Sequence, residues 1–170
     1  MNVLHKTTIA ALLVLGCAGT GHAQGLNNPL LPTTGSREIA VRGSLFFNPS
    51  DTYNLQGKYG PFVTDRLQLA GTLGYDKSGS VKTTVYGVEA NYHFPNASST
   101  LPFVGAFLGG ANIGGAPGGK TNTTAYGVQG GVKQFLSNDV AATAELQHRR
   151  PQGASRNSTT GIVFGLAFYR

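Results

Sequence analysis

The sequence predicts an all-β protein, an eight-stranded antiparallel up-and-down β-barrel that crosses a membrane. Three observations support this fold class. Apolar and polar residues alternate with a period of two along eight segments, as in strands whose two faces meet different surroundings. The chain of 170 residues has 25 Gly, one Cys and only 12% charged residues, which disfavours helix bundles, disulfide scaffolds and disordered chains. Aromatic residues recur near the ends of the segments, as in the girdles of membrane barrels.

Residues 1–23 have the three parts of a secretory signal peptide. Lys6 supplies the basic start, residues 9–15 form the apolar run, and residues 21–23 supply the small residues at a cleavage site before Gln24. Cleavage there leaves a mature chain without cysteine, and no disulfide can then stabilise it.

A second cleavage site is left open by the sequence. Residues 14–17, Val-Leu-Gly-Cys, resemble the motif in which the cysteine, here Cys17, becomes a lipid-bearing N-terminus. Residues 24–36 lack periodicity and are predicted to be a flexible N-terminal arm. The barrel is predicted to occupy residues 37–170.

The first four strands are predicted at residues 37–47, 52–63, 67–75 and 85–94. Their apolar residues occupy every second position, and the positions between them are polar or small. The apolar members are Ile39, Val41, Leu45 and Phe47; Tyr53, Leu55 and Tyr59; Leu67, Leu69, Leu73 and Tyr75; and Tyr86, Val88, Ala90, Tyr92 and Phe94. Clusters of Asn, Pro, Asp and Ser between these segments predict turns.

The last four strands are predicted at residues 101–112, 126–133, 140–147 and 161–168. In the fifth strand, Phe103 and Phe107 share one face while Val104 and Leu108 lie on the other, so its alternation is blurred. The other three alternate clearly, with Tyr126, Val128 and Val132; Val140, Ala142, Ala144 and Leu146; and Ile162, Phe164, Leu166 and Phe168.

The connections predict two different rims. Residues 64–66, 95–100 and 137–139 read as tight turns, residues 76–80, 113–122 and 149–157 read as longer loops, and residues 48–51 are short for their rim. An even number of strands places both termini at the tight-turn rim, which is the pattern of bacterial membrane barrels.

The apolar face is rich in aromatic residues and nearly uncharged, whereas the opposite face carries the charges. This arrangement indicates a barrel with lipid outside and polar residues inside. Tyr53 and Phe62, Tyr86 and Phe94, and Tyr126 and Phe135 are eight or nine positions apart. Such a spacing corresponds to a height of about 20–23 Å, against an apolar band of about 25 Å. The alternative is a soluble secreted barrel of lipocalin type, with apolar residues pointing inward around a small ligand.

One turn motif carries a family resemblance. Residues 59–69, YGPFVTDRLQL, resemble the turn G-x-F-[VL]-T-D-x-[LW]-x-L of the small bacterial outer-membrane β-barrel superfamily, the OmpA/OmpW-like group. Residues 135–142, FLSNDVAA, repeat the turn 73 positions later. The resemblance covers residues 37–170 and implies a barrel in the bacterial outer membrane.

The last strand resembles the assembly signal of these proteins, since Ile162, Phe164, Leu166 and Phe168 alternate toward the C-terminus. The family usually ends on the aromatic residue, whereas this chain continues through Tyr169 to Arg170. The resemblance implies recognition by the barrel-assembly machinery and contact with outer-membrane lipid.

Charged and polar residues on the inward face form the first candidate site. They are Arg42, Lys58, Glu89, His93, Lys133 and Glu145, with Arg149 a further candidate. An eight-stranded barrel is just wide enough for its own side chains, and buried charges need partners. We therefore expect a lumen plugged by paired polar residues, and the alternative is a small porin-like or gated channel.

Basic residues near the longer loops form a second candidate site. Lys77, Lys82, Lys120, Arg149, Arg150 and Arg156 all map to that rim. On an extracellular rim they could bind phosphates of lipopolysaccharide, and the alternative is that they are solvated. Nucleic acid is not expected as a partner of an exported barrel.

Catalytic chemistry is not predicted. His148, Ser155, Ser158 and Glu145 lie within 14 positions of one another but match no catalytic motif. The mature chain has only two histidines, too few for a metal site, and the Gly-rich residues 114–120 lack the Gly-Lys-Ser/Thr ending of a phosphate loop. We therefore expect no cofactor and no enzymatic activity, and a structural or surface-interaction role.

Overall fold

The computed structural model of the chain describes residues 31–46, 52–114, 121–152 and 158–170. The predicted signal peptide, Cys17 and the first part of the predicted arm lie outside these residues, as do Lys120, Ser155 and Arg156. No helix in the described part of the chain is long and apolar enough to cross a membrane.

Eight antiparallel strands form one closed barrel, in which each strand pairs with its neighbours in sequence and β1 pairs with β8. The strands are β1 Arg37–Phe46, β2 Thr52–Pro61, β3 Leu67–Ser78, β4 Val81–His93, β5 Thr100–Gly114, β6 Thr121–Phe135, β7 Val140–Pro151 and β8 Thr159–Tyr169. The predicted all-β, eight-stranded up-and-down barrel is confirmed. Because the barrel is closed, no strand is left with an unpaired edge along its middle.

The alternation places apolar side chains outside and polar side chains inside. On β1, Ile39 and Val41 are more than half exposed, whereas Glu38, Ala40 and Arg42 are buried in the lumen. The same parity holds around the barrel, because a strand turns successive side chains to opposite faces. A lipocalin-like barrel needs the reverse arrangement, so that alternative is inconsistent with the structure.

The fifth strand follows the same rule once the inner face is known. Phe103 and Phe107 are buried in the lumen, while Val104 and Leu108 are exposed. Glycines make room for these inner rings. A Cβ at Gly109 would lie 2.7 Å from the ring of Phe107, closer than any side chain could approach. Apolar residues therefore occupy both faces of β5, which is why its sequence pattern is blurred.

The three aromatic pairs are predicted to lie on the outer face of the barrel, at its two edges. The prediction is correct for one pair and wrong for the other two. Tyr86 and Phe94 are both about half exposed on the outer face, whereas Phe62 and Phe135 are buried inside the barrel. The reason is the period of two: residues nine positions apart point to opposite faces of a strand, whereas residues eight apart share one face.

The predicted loop at residues 76–80 is also wrong. β3 continues to Ser78 and β4 begins at Val81, so the connection consists of Gly79 and Ser80 alone. Gly79 has a φ of +59°, the left-handed conformation that tight hairpins favour and that glycine adopts at little cost. Lys77 and Lys82 consequently lie in strands.

The barrel has two rims. We call the end that carries both termini and residues 62–66, 94–99 and 136–139 the terminal rim, and the opposite end, with the Gly79–Ser80 hairpin, the far rim. At the terminal rim the backbone N–H of Gly35 donates to the carbonyl of Phe62, and the N–H of Phe62 donates to Ser36, both at 2.8 Å. Asp65 accepts hydrogen bonds from the N–H and the hydroxyl of Thr34, each at 2.7 Å. Residues 31–36 are thus attached to the barrel by hydrogen bonds.

Candidate functional site

The lumen holds all six residues of the first candidate site. Their side chains come from five strands: Arg42 from β1, Lys58 from β2, Glu89 and His93 from β4, Lys133 from β6 and Glu145 from β7. Each of the six residues is at most 4% exposed. They lie at positions of one parity on each strand, so the closed sheet directs all of them into the same interior.

Arg42 joins two carboxylates across the barrel. Its Nη2 lies 2.8 Å from Oε1 of Glu89, and its Nη1 lies 3.0 Å from both carboxylate oxygens of Glu145. Nη2 also donates to the hydroxyl of Thr72 at 3.2 Å. Because an Arg guanidinium presents several donors in a fixed plane, one side chain can bind both carboxylates.

Glu38 is the centre of a second cluster, nearer the terminal rim. Its carboxylate lies 2.8 Å from Nζ of Lys58, pairs with Nζ of Lys133, and accepts a hydrogen bond from the hydroxyl of Tyr169 at 2.9 Å. The sequence places Glu38 on the polar face with Arg42 but does not assign it to the site. The sequence identifies Tyr169 only as a departure from the terminal pattern.

His93 lies between two aromatic rings below these ion pairs. Its ring centroid is 4.8 Å from that of Phe62 and 5.5 Å from that of Phe103. Its Nδ1 is 3.3 Å from the carbonyl oxygen of Arg66, and its Nε2 is buried without a hydrogen-bond partner among the described residues. His93 therefore packs with Phe62 and Phe103 in a cluster of rings inside the barrel near the terminal rim.

Amide side chains fill the lumen around the ion pairs. They are not among the residues that the sequence predicts for the first candidate site. Gln56 and Gln147 hydrogen-bond to each other at 3.2 Å, and Gln129 donates to Asn91 at 2.8 Å. Gln147 also donates to Glu145 at 2.7 Å. Their only sequence signal is the shared parity with charged residues on the same strands.

Arg149 belongs to the lumen and does not face the outside of the far rim. Its Nη2 is 3.6 Å from Oε1 of Glu89 and 3.3 Å from Oε1 of Gln56. Its guanidinium carbon is 4.5 Å from the centroid of the Phe107 ring. Odd-numbered positions on β7 face inward, and Arg149 shares that parity with Glu145.

The other basic residues of the second candidate site that the structure describes, Lys77, Lys82 and Arg150, occupy separate parts of the far rim. Lys77 and Lys82 are direct partners in the register of β3 and β4. Arg150 is exposed on β7, opposite Tyr126 of β6. The structure therefore brings together the two lysines and leaves Arg150 apart from them.

Glu145 and His148, two of the residues with catalytic side chains in this part of the sequence, do not lie together. His148 is exposed and its Nδ1 lies 2.7 Å from the hydroxyl of Thr160. Glu145 is bound to Arg42 inside the barrel, so β7 separates it from His148. No group of three His, Cys, Asp or Glu residues that could hold a metal ion occurs within the described ranges.

Comparisons with solved structures agree with the fold. The N-terminal β-barrel domain of Pseudomonas aeruginosa OprF is similar over 82% of this chain and 100% of its own, with 25% identity and a TM-score of 0.67. Neisserial surface protein A covers 78% of this chain and 94% of its own at 17% identity, with a TM-score of 0.61. The Yersinia pestis outer membrane protein Ail covers 82% and 100% at 12% identity, with a TM-score of 0.50. No family model and no curated protein matches the sequence.

Proposed function

We propose that this chain, which has the fold of the small eight-stranded outer-membrane barrels, is an exported protein of a bacterial outer membrane. In this proposal it has a structural or surface-interaction role, and its lumen is closed by paired polar side chains. The far rim then faces the outside of the cell and the terminal rim faces the periplasm.

The outer surface supports the membrane location. Large apolar residues are exposed on seven of the eight strands, with Leu73, Val88, Leu108, Val128 and Phe164 all about 60% exposed, and the outward apolar residues of β7 are half-buried. Among the described residues, every charged side chain on the outer face lies at one of the two rims. A surface of this kind is unfavourable in water and suits a hydrocarbon environment.

The burial of the charged side chains inside the barrel is the main support for a closed lumen. Three cations (Arg42, Lys58 and Lys133) and three carboxylates (Glu38, Glu89 and Glu145) are between 0 and 4% exposed and form ion pairs with one another. A water-filled pore would leave the side chains that line it accessible to solvent. The charges of the six residues also cancel, which a low-dielectric interior favours.

Conductance in planar lipid bilayers distinguishes the plug from the porin-like alternative. We expect the wild-type protein to pass little or no current. Arg42→Ala should increase the conductance, because it removes a large side chain and leaves Glu89 and Glu145 repelling each other. Arg37→Ala is the matched control, since Arg37 is exposed at the terminal rim. Steady wild-type conductance that Arg42→Ala does not alter would contradict the plug.

The membrane location is tested by fractionation and gel mobility. We expect the exported protein in the outer-membrane fraction, with a migration in detergent gels that changes on heating because the closed barrel then unfolds. Recovery as a soluble periplasmic protein would contradict the proposal.

The apolar side of β8 supports recognition by the barrel-assembly machinery. Ile162, Phe164, Leu166 and Phe168 are about half exposed or more, all on the outer face. Tyr169 points inward to Glu38, so its position after the last outward aromatic residue has a structural role of its own. Phe168→Ala should lower the yield of assembled barrel in cells, while Tyr169→Phe should preserve assembly. Equal yields for Phe168→Ala and the wild type would count against the signal.

A further inference from the structure

Lys77 and Lys82 lie directly opposite each other at the far rim. They are partners in the antiparallel register of β3 and β4, two positions beyond the pair of Tyr75 and Thr84. Both occupy outward-facing positions, since they share parity with Tyr75 and Tyr86. The two-residue hairpin of Gly79 and Ser80 leaves no long loop above them.

Two like charges at opposite positions of a strand pair destabilise the sheet unless an anion neutralises them. Neither lysine forms a salt bridge with a carboxylate of the described residues. Asp76, the nearest acidic residue in sequence, faces the lumen, where the side-chain amide of Asn54 donates to it. The lysine pair is therefore an uncompensated double positive charge within the described surface.

The depth of the pair is set by neighbouring aromatic rings. Nζ of Lys77 is 5.9 Å from the ring centroid of Tyr53, and the rings of Tyr53 and Tyr75 are 6.1 Å apart. Tyrosines of this kind mark the boundary between hydrocarbon and headgroups in membrane barrels. Two further residues along a tilted strand raise the lysines by about 5 Å above Tyr75, into the layer of lipid headgroups.

We infer that Lys77 and Lys82 form a binding site for the phosphate groups of a phosphorylated glycolipid in the outer leaflet, with Tyr53 and Tyr75 against its sugar and upper acyl region. This inference rests on the proposed outer-membrane location, which places the far rim in that leaflet. The two ammonium groups, on Cβ atoms about 5 Å apart, bind one phosphate together. Arg150 is exposed on another part of the barrel and does not contribute.

Native mass spectrometry of the folded full chain in non-ionic detergent tests the site. The probe is bisphosphorylated lipid A, and the number of lipids bound per barrel is measured against lipid concentration. We expect Lys77→Gln and Lys82→Gln each to weaken binding about fivefold and the double variant about 25-fold, from the charge attraction of a lysine near an anionic surface. The matched control is Arg37→Gln with Arg66→Gln, which removes two charges at the terminal rim and should leave binding unchanged.

Two further probes identify the source of the phosphate. Lipid A from which both phosphates have been removed should bind the wild type as weakly as the double variant binds the intact lipid. Inorganic phosphate at millimolar concentration should not displace the bound lipid, because it lacks the part that contacts the tyrosines.

Each remaining result overturns the inference. Equal binding by wild type and double variant, equal loss in the terminal-rim control, or displacement by inorganic phosphate alone would do so. Heat-dependent gel migration is recorded on the same samples. A barrel that migrates as folded but binds no lipid A contradicts only the glycolipid site, whereas a chain that never folds in detergent contradicts the proposed function as well.

Discussion

Glu38 shows how a single buried carboxylate can organise the interior. It contacts Lys58, Lys133 and the Tyr169 hydroxyl, which come from β2, β6 and β8. Because β1 and β6 do not pair in the sheet, the contact with Lys133 ties the barrel together across its interior. Removing this charge leaves two lysines buried close to each other without the carboxylate that pairs with both.

We therefore expect Glu38→Gln to lower the free energy of unfolding by about 3–5 kcal/mol, the usual cost of removing one partner of a buried ion pair. Urea unfolding in detergent, followed by heat-dependent gel migration, measures this. Asp139→Asn makes the same chemical change at an exposed turn residue and should alter stability by less than about 0.5 kcal/mol. Similar losses for the two variants would show that Glu38 has no special role.

Asp65 gives the terminal rim a pH dependence. The hydroxyl and the N–H of Thr34 donate to its carboxylate and hold the pKa of Asp65 below its ordinary value, with a smaller contribution from Arg66. A group whose pKa is lowered by folding stabilises the folded form above its unfolded pKa, about 3.9 for Asp. That contribution is lost as the pH falls through the lowered folded pKa.

The Thr34 amide should accordingly be protected from hydrogen exchange at neutral pH. Its protection factor should fall as Asp65 becomes protonated, and Asp65→Ala should abolish the protection at neutral pH. Ala40, in the middle of β1, provides an internal control that neither change should affect. Unchanged protection of Thr34 in Asp65→Ala would mean that other contacts hold residues 31–36.

For single residues, the sequence predicts which charged side chains face the lumen better than it predicts which residues they contact. Arg42, Lys58 and Glu145 stand out because charge is rare in the chain and recurs at one parity. The sequence does not predict Phe62 and Phe103 in the lumen, because an apolar residue does not indicate which face it occupies when both faces can accept it. Closure of the barrel brings both rings next to His93.

Within the strands, glycine determines which large side chains the lumen can hold. Gly165 of β8 faces inward beside β1, and a Cβ added there would lie 2.3 Å from the carbonyl oxygen of Val41 and 2.9 Å from both Cα and Cγ of Arg42. Gly57 of β2 faces outward, and the nearest atom to its Cβ would be the carbonyl oxygen of Leu73 at 4.0 Å. Glycine is therefore required at the first position and replaceable at the second.

Gly165→Ala should destabilise the barrel by about 1–3 kcal/mol, because the added methyl group displaces Arg42 or the backbone beside it. Gly57→Ala should leave stability unchanged or slightly increased, since the position has room and alanine restricts the unfolded chain. The same urea unfolding assay compares the two. Equal destabilisation would indicate that general strand propensity, and not the space around Arg42, decides the cost.

The strands themselves follow from alternation, but their ends do not. β3 and β4 extend beyond the predicted segments because the Asp76–Ser80 region, rich in turn-forming residues, needs only Gly79 and Ser80 for its hairpin. β5 and β6 each have 15 residues and extend further than predicted. A polar residue near a rim pairs in the sheet as readily as an apolar one, so hydropathy does not mark where the ladder stops.

The whole molecule is a closed sheet with its polar side inside. The low charge content and abundant glycine of the sequence disfavour other fold classes. The barrel explains both features. The apolar residues form the outer surface, and the charged residues are confined to the lumen and the rims. The sequence pattern identifies the two faces, whereas the pairing partners inside depend on strand tilt and register, which only the three-dimensional structure specifies.

The proposed membrane location requires the apolar face of the barrel to contact lipid. The chain has no tryptophan, so a single introduced tryptophan reports on one position. Leu108 is exposed on β5, and its neighbour Phe107 is buried in the lumen. In vesicles of lipids with brominated acyl chains, the fluorescence of Leu108→Trp should be strongly quenched and that of Phe107→Trp should not. Quenching of Phe107→Trp alone, or no quenching of Leu108→Trp in the folded barrel, would contradict contact between the apolar face and lipid.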